Sequence, residues 1–162
     1  MQLIKIVGIC ILIFTIARWV TLACQRRKRR LALHEELSRL LHFIKRNLEC
    51  YLMPLGRIAE NFESELLFEC GFLEKLRGSD ASSALRECGI YNELEPSAAR
   101  LLEGFFGTFG RGYFDQERRV VDSVCAEFDA LLSDLRMRTP QKTRLFGTIG
   151  AAASLALLIL MM

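Results

Sequence analysis

Histidine is scarce in this chain, limited to His34 and His42, and tryptophan occurs once, at Trp19. The two histidines stand eight residues apart on one amphipathic stretch, so their directions differ by about 80° on a helical wheel. They make no metal pair by themselves, and surface or partner-facing positions are expected for both. HExxH, GxSxG and a Gly-Lys-Ser/Thr phosphate-loop ending are all missing. That removes the motif-borne routes to zinc proteolysis, serine hydrolysis and nucleotide phosphate binding. The six cysteines, Cys10, Cys24, Cys50, Cys70, Cys88 and Cys125, include no CxxC pair. Such wide spacing argues against a structural zinc site. They read as small apolar packing residues of a reducing compartment. No cofactor and no metal are expected. Strand-like alternation is also absent, so the expected fold is all-α.

Basic residues are few where a nucleic-acid-binding domain would need them. The formal net charge of +3 conceals an asymmetry: residues 31–135 hold all 19 acids and only 11 of the 22 bases, a balance of −8. An acidic body of that kind excludes nucleic acid as a partner. The other bases gather beside two apolar runs. Arg26, Arg27, Lys28, Arg29 and Arg30 follow the first run, which begins at Leu3. Arg136, Arg138, Lys142 and Arg144 precede the second, residues 145–162. Cations beside a membrane span are retained on the cytoplasmic side. One arrangement satisfies both collars: two membrane anchors, both chain ends outside, and the middle of the chain in the cytoplasm, its collars against anionic lipids.

The first run is long enough for this. As a helix, residues 1–23 extend about 34 Å at ~1.5 Å per residue, against a hydrocarbon core of about 30 Å. Lys5 can snorkel to one headgroup layer and Arg18 to the other, with Trp19 at the interface. A signal peptide is the competing reading, and Thr21-Leu22-Ala23-Cys24 resembles a weak lipoprotein cleavage site. The charge order opposes it, because the positive end lies after the apolar stretch. The second run spans about 27 Å as a helix at ~1.5 Å per residue, enough for a short span. Its small residues, Gly147 with Ala151 and Gly150 with Ser154, suit either close helix approach or a plain lipid-facing surface. The expected division is a transmembrane helix at 1–24, a basic collar at 25–30, a cytoplasmic helical domain at 31–138, a basic linker at 139–144 and a transmembrane helix at 145–162.

Within the middle, about six helices are expected. Leu33, Leu37, Leu40, Leu41, Ile44, Leu48, Tyr51 and Leu52 recur at three- and four-residue steps, which predicts a helix over 31–53. With no breaker before it, this helix can run on from the first span. Pro54 ends it and opens the next, striped by Leu55, Ile58, Ala59 and Phe62. Residues 64–77 read as a third helix weakened near Gly71. Gly78-Ser79-Asp80 is a turn, and Asp80 or Ser82 could cap a short helix over 83–88 that Gly89 stops. Pro96 or Ser97 opens the next helix. Asp115 begins the last cytoplasmic helix, striped by Val120 or Val121, Val124, Cys125, Phe128, Leu131, Leu132 and Leu135, which Thr139-Pro140 should break.

Gly104, Gly107, Gly110 and Gly112 interleave with Leu101, Leu102, Phe105, Phe106 and Phe109. Glycine inside a helix costs about 1 kcal/mol, so four in nine residues need a reason. Close backbone approach between two helices, then a tight turn at Gly110-Arg111-Gly112, is the expected one. A phosphate-cradling loop lacks its preceding strand and its lysine ending. Among the acids, Glu63, Glu65 and Glu69 are spaced for one helix face. A solvated face is the plain reading, and docking of a basic partner is the functional one.

The run from Leu102 through Gly107, Thr108, Phe109, Gly110 and Arg111, followed by Asp115-Gln116-Glu117, resembles the stage III sporulation protein AB family of endospore-forming bacteria. The two end anchors and the Tyr51-Leu52-Met53-Pro54-Leu55 joint add to the likeness. Phe109-Gly110 stands for the family's Leu-Gly turn. Gly112-Tyr113-Phe114-Asp115-Gln116 departs from its Ser-Asp step, which bears on the cap of the last helix. The resemblance implies a fold like one cytoplasmic domain of the platform proteins of type II secretion and type IV pilus machines. It implies a place in a channel complex between mother cell and forespore, on the mother-cell side of the outer forespore membrane. It also implies as partners a hexameric ATPase resembling stage III sporulation protein AA and other subunits of that complex. The expected function is therefore a non-enzymatic membrane platform subunit. A membrane-anchored adaptor or regulator binding a cytoplasmic signalling protein is the alternative. An enzyme is the weakest reading, since the spans offer only Lys5, Thr15, Arg18, Thr21, Thr148 and Ser154 as polar groups.

Overall fold

Eight helices follow one another among the described residues: α1 (Gln2–Tyr51), α2 (Leu55–Glu60), α3 (Glu65–Glu69), α4 (Phe72–Gly78), α5 (Ala81–Glu87), α6 (Ile90–Glu93), α7 (Pro96–Thr108) and α8 (Phe114–Ile159). This computed structural model describes the backbone of residues 2–51, 55–78, 81–110 and 112–159, and the side chains of 8, 11, 14–48, 55–78, 81–110 and 112–138. Pro54, Ser79 and Asp80 of the expected Gly78-Ser79-Asp80 turn, and Arg111 lie outside it, as do the side chains of Lys5, Tyr51, Lys142, Arg144 and the small residues from Gly147 to Ser154. The chain divides into two units, residues 30–134 and residues 1–29 with 135–162.

Residues 30–134 hold the core. On α1 the expected stripe is buried in full as far as it is described: Leu33, Leu37, Leu40, Leu41, Ile44 and Leu48. Burying each such side chain contributes roughly 1.5–3 kcal/mol. From the rest of this unit come Ile58, Phe62 of the α2–α3 segment, Leu67, Phe72, Leu76, Leu85, Leu102, Phe106, Val121 and Phe128. Val121, not the exposed Val120, continues the α8 stripe. Helix α2 packs on α4 and α5 on α7, and Phe72 of α4 meets Phe106 of α7 at 5.9 Å between ring centres.

Polar bonds set how α1 lies on α8. Ser38 donates to Asp129 Oδ1 at 2.7 Å and His42 Nε2 to Oδ2 at 2.9 Å. One carboxylate thus bridges two successive turns of α1. Lys45 stands 2.7 Å from Asp122. The Asp122 oxygen it meets is itself buried, so the ammonium is what compensates it. These pairings run in opposite directions along the two helices, so within residues 30–134 α1 and α8 are antiparallel.

The expected third helix is two helices. Gly71 takes the left-handed conformation at φ +70°, which breaks residues 64–77 into α3 and α4. Ser64 caps α3, accepting from the Leu67 N–H. Gly89, at φ +74°, ends the α5 segment as expected, but Ser82 lies inside α5 and does not cap it. The short α6 follows directly, without a sequence signal that predicted it. Pro96 is at the first turn of α7, as expected. Thr139-Pro140 does not break α8, which is helical from Phe114 to Ile159. A proline removes one bond of the helical ladder, and a helix propagating on both sides can survive that loss.

In residues 1–29 and 135–138, Ile11, Phe14, Trp19, Leu22 and Met137 are exposed. Among the described residues, no helix is long and apolar enough to cross a membrane.

Candidate partner interface

Helix α3 is five residues long and owes its placement to two groups, the Ser64 cap and the fully buried Leu67. With Leu67 pointing inward, Glu65, Phe68 and Glu69 must point outward, and all three are exposed. Glu63 precedes the cap, outside any helix, and is exposed as well. The three expected carboxylates therefore do not share one helix face, because only Glu65 and Glu69 are helical. They nevertheless converge. With Glu35 and Glu36 of α1 they line one groove of about 660 Å³, together with Ala32, Arg39, Ser64 and Leu66.

Arg39 is the single cation in that lining, and its charge is engaged locally. Its Nη1 donates to both Glu36 oxygens, at 2.7 and 2.9 Å. Its guanidinium lies 5.9 Å from the centre of the Phe62 ring. The groove thus presents a net negative face to solvent. Spacing alone does not single out Glu35 and Glu36. They lie on the polar side of α1, and only the tertiary fold brings them beside α3.

The glycine-rich turn is built differently from expectation. A Cβ added at Gly104 or Gly107 would meet nothing within 4 Å, so no close helix approach surrounds them among the described residues. Of the expected turn, Phe109 closes α7 by donating its N–H to the Phe105 carbonyl and Gly110 follows at φ +86°, while Arg111 lies outside the described residues. Helix α8 then starts without a Ser-Asp step. The Tyr113 carbonyl accepts from the Gln116 and Glu117 N–H groups, both at 2.9 Å. The Glu117 carboxylate reaches back to accept from the Gly112 N–H at 3.0 Å. Asp115 and Gln116 are exposed in the first turn of α8, where the Asp115 charge suits the helix dipole.

The basic collars behave unequally. Arg18, Trp19, Arg26, Lys28, Arg29, Arg136 and Arg138 are exposed and Arg27 is half-buried. Arg30 instead turns onto the domain. Its Nε donates to the Glu93 carbonyl at 2.6 Å and its Nη2 to the Leu94 carbonyl at 3.2 Å, so it stabilises the end of α6.

His34 corrects the surface expectation, being 1% exposed. Its Nδ1 donates to the Arg30 carbonyl at 2.7 Å, and its Nε2 accepts from the Glu95 N–H at 3.4 Å. This pattern is that of the neutral ring protonated at Nδ1. Burial is the main cause holding its pKa below the usual 6.5; the Arg30 carbonyl and the Glu95 charge oppose the shift, and the Arg30 charge adds to it. His42 is exposed, as expected. Cys24, Cys70, Cys88 and Cys125 are free thiols, and burial pushes Cys125 up to about 11. No group of three His, Cys, Asp or Glu side chains among the described residues could hold a metal ion.

The site therefore offers a negatively charged groove, a left-handed glycine turn and exposed cations. Comparison with curated proteins gives no match, and comparison with solved structures gives none. A family model described as stage III sporulation protein AB matches residues 5–162. That match takes in the first apolar run from Lys5 on, the whole of the second, both collars and the glycine turn, and on it the chain belongs to the stage III sporulation protein AB family.

Proposed function

We propose that this sporulation protein is a non-enzymatic membrane platform subunit against which a cytoplasmic ATPase works. Its two apolar ends anchor it, both termini lie outside the cytoplasm, and residues 31–138 face the mother-cell cytoplasm. The collars fix height and orientation through anionic lipids, and two anchors restrict drift more than one. A motor can transmit motion only to a body that is held.

The observation that carries this reading is the acidic groove of Glu35, Glu36, Glu63, Glu65 and Glu69. Complementary charge sets the rate and the register of docking, and a basic surface on a hexameric ATPase resembling stage III sporulation protein AA is the partner that fits. Other subunits of a mother cell–forespore channel would complete the assembly.

The test is binding of the full chain, in lipid nanodiscs, to that ATPase across a salt series. Saturable binding that weakens with salt and is lost on charge reversal at Glu63, Glu65 and Glu69 is the expected outcome. Undiminished binding by the reversed variant would remove the groove from the interface. Absence of binding at low salt, with normal spore formation in cells lacking the chain, would favour the adaptor reading instead.

A further inference from the structure

Four bonds close a ring at the start of the domain. The Arg30 guanidinium holds the Glu93 and Leu94 carbonyls, the Arg30 carbonyl accepts from His34 Nδ1, and His34 Nε2 accepts from the Glu95 N–H. Two residues one turn apart on α1 thereby grip three consecutive residues at the joint between α6 and α7. We propose that this ring is an acid-released latch, in which a proton on His34 Nε2 detaches the α6–α7 corner from α1.

The chemistry follows from the donors and acceptors. Nε2 is an acceptor only while the ring is neutral. A proton there would point a second N–H at the Glu95 N–H, two donors with no acceptor between them. It would also place a cation where the residue is 1% exposed. The ring cannot move aside on α1, because Nδ1 is held at 2.7 Å and Phe128 of α8 stacks against it, 6.1 Å between ring centres. The yielding element is the corner, which Arg30, the burial of Ile90 and Leu94 and the packing of α6 on α5 also hold. Release would uncover those two apolar side chains. Serving as a latch is thus a role distinct from the docking groove.

The charges around the ring are few. From α1 it faces the Arg30 cation, and from the start of α7 the Glu95 carboxylate. Glu93 contributes its carbonyl through Arg30. From α8 it meets the uncharged Phe128 ring, while the neighbouring Asp129 is taken by Ser38 and His42. The sign is fixed by the neutral folded form. A histidine whose folded pKa is depressed contributes fully above its unfolded value of 6.5, and its contribution is lost as pH falls below that value toward the folded pKa.

The experiment is amide hydrogen exchange by NMR on the full chain in detergent micelles, from pH 7.5 to 4.5. The readout is the protection factor, which removes the intrinsic pH dependence of exchange. Protection of the Glu95 amide should fall about tenfold per pH unit once His34 titrates, as one linked proton requires. The Leu67 amide, capped by Ser64, should stay flat. Arg30→Met should move the midpoint up and Glu95→Gln should move it down. His34→Gln, which does not titrate, should abolish the pH dependence whether or not it lowers protection overall. Flat Glu95 protection in the native chain would overturn the latch, and so would an unchanged pH response in His34→Gln.

Discussion

Replacing Gly104 with alanine should make this protein more stable, and the same change at Gly110 should make it less so. Gly104 lies inside α7 and is exposed, and a methyl group there meets nothing within 4 Å. The gain is then the ordinary helix preference for alanine, about 0.5–1 kcal/mol, reinforced by a less disordered unfolded chain. Gly107 is also unobstructed but stands one residue from the helix end, where the ladder is incomplete, so roughly half that gain is expected. Gly110 differs because its φ is +86°. An L side chain in that conformation costs about 1–2 kcal/mol. For a unit of about 100 residues, 1 kcal/mol corresponds to about 4–6 °C in Tm. Thermal melting of the full chain in detergent micelles, followed by circular dichroism at the helix band, resolves shifts of that size. A lower Tm for Gly104→Ala, or a higher one for Gly110→Ala, would refute the reasoning. If Gly104→Ala with Gly107→Ala raised Tm yet blocked spore formation, the bare helix face would be assigned to a partner.

Two further outcomes are expected. Asp129→Ala takes the acceptor from the buried Ser38 hydroxyl and from His42, which should cost about 1–3 kcal/mol by denaturant unfolding; a loss under about 0.3 kcal/mol would mean that water replaces the carboxylate at no cost. Burial raises the Cys125 thiol to about 11, so at pH 8 it is protonated and iodoacetamide should leave it unmodified in the native chain but not in denaturant; peptide mass mapping that found rapid native labelling would contradict its placement in the core.

Much of the helical order is legible from apolar spacing, because burial of a stripe is a property that sequence carries locally. The leucines of α1 and the phenylalanines of α7 are cases in point. What spacing cannot carry is a break decided by backbone conformation. Gly71 divides α3 from α4 by going left-handed, whereas Pro140, the stronger local signal, leaves α8 continuous. Polar residues are harder still. His34 and His42 look alike on a wheel, yet one is sealed under the α6–α7 joint and the other bonds Asp129 at the surface. The difference comes from residues about 60 and 90 positions away. The groove repeats the lesson: Glu63, Glu65 and Glu69 stand out in sequence, but Glu35 and Glu36 join them only through the packing of α3 on the core.

The antiparallel pairing of α1 with α8 also orders the birth of the fold. Ser38 finds its acceptor 91 residues later. Closing a loop of that length costs about 4 kcal/mol in chain entropy, and nothing along α1 alone offsets it. The packing of α2 on α4 and of α5 on α7 joins nearer segments, so those pairs can form while the chain is still being made. Ser38, His42 and Lys45 must wait for the final helix to leave the ribosome. A chain that stopped before Asp122 would keep its short helices but display an open seam along α1, a surface by which a protease or chaperone could tell a half-finished copy from a complete one.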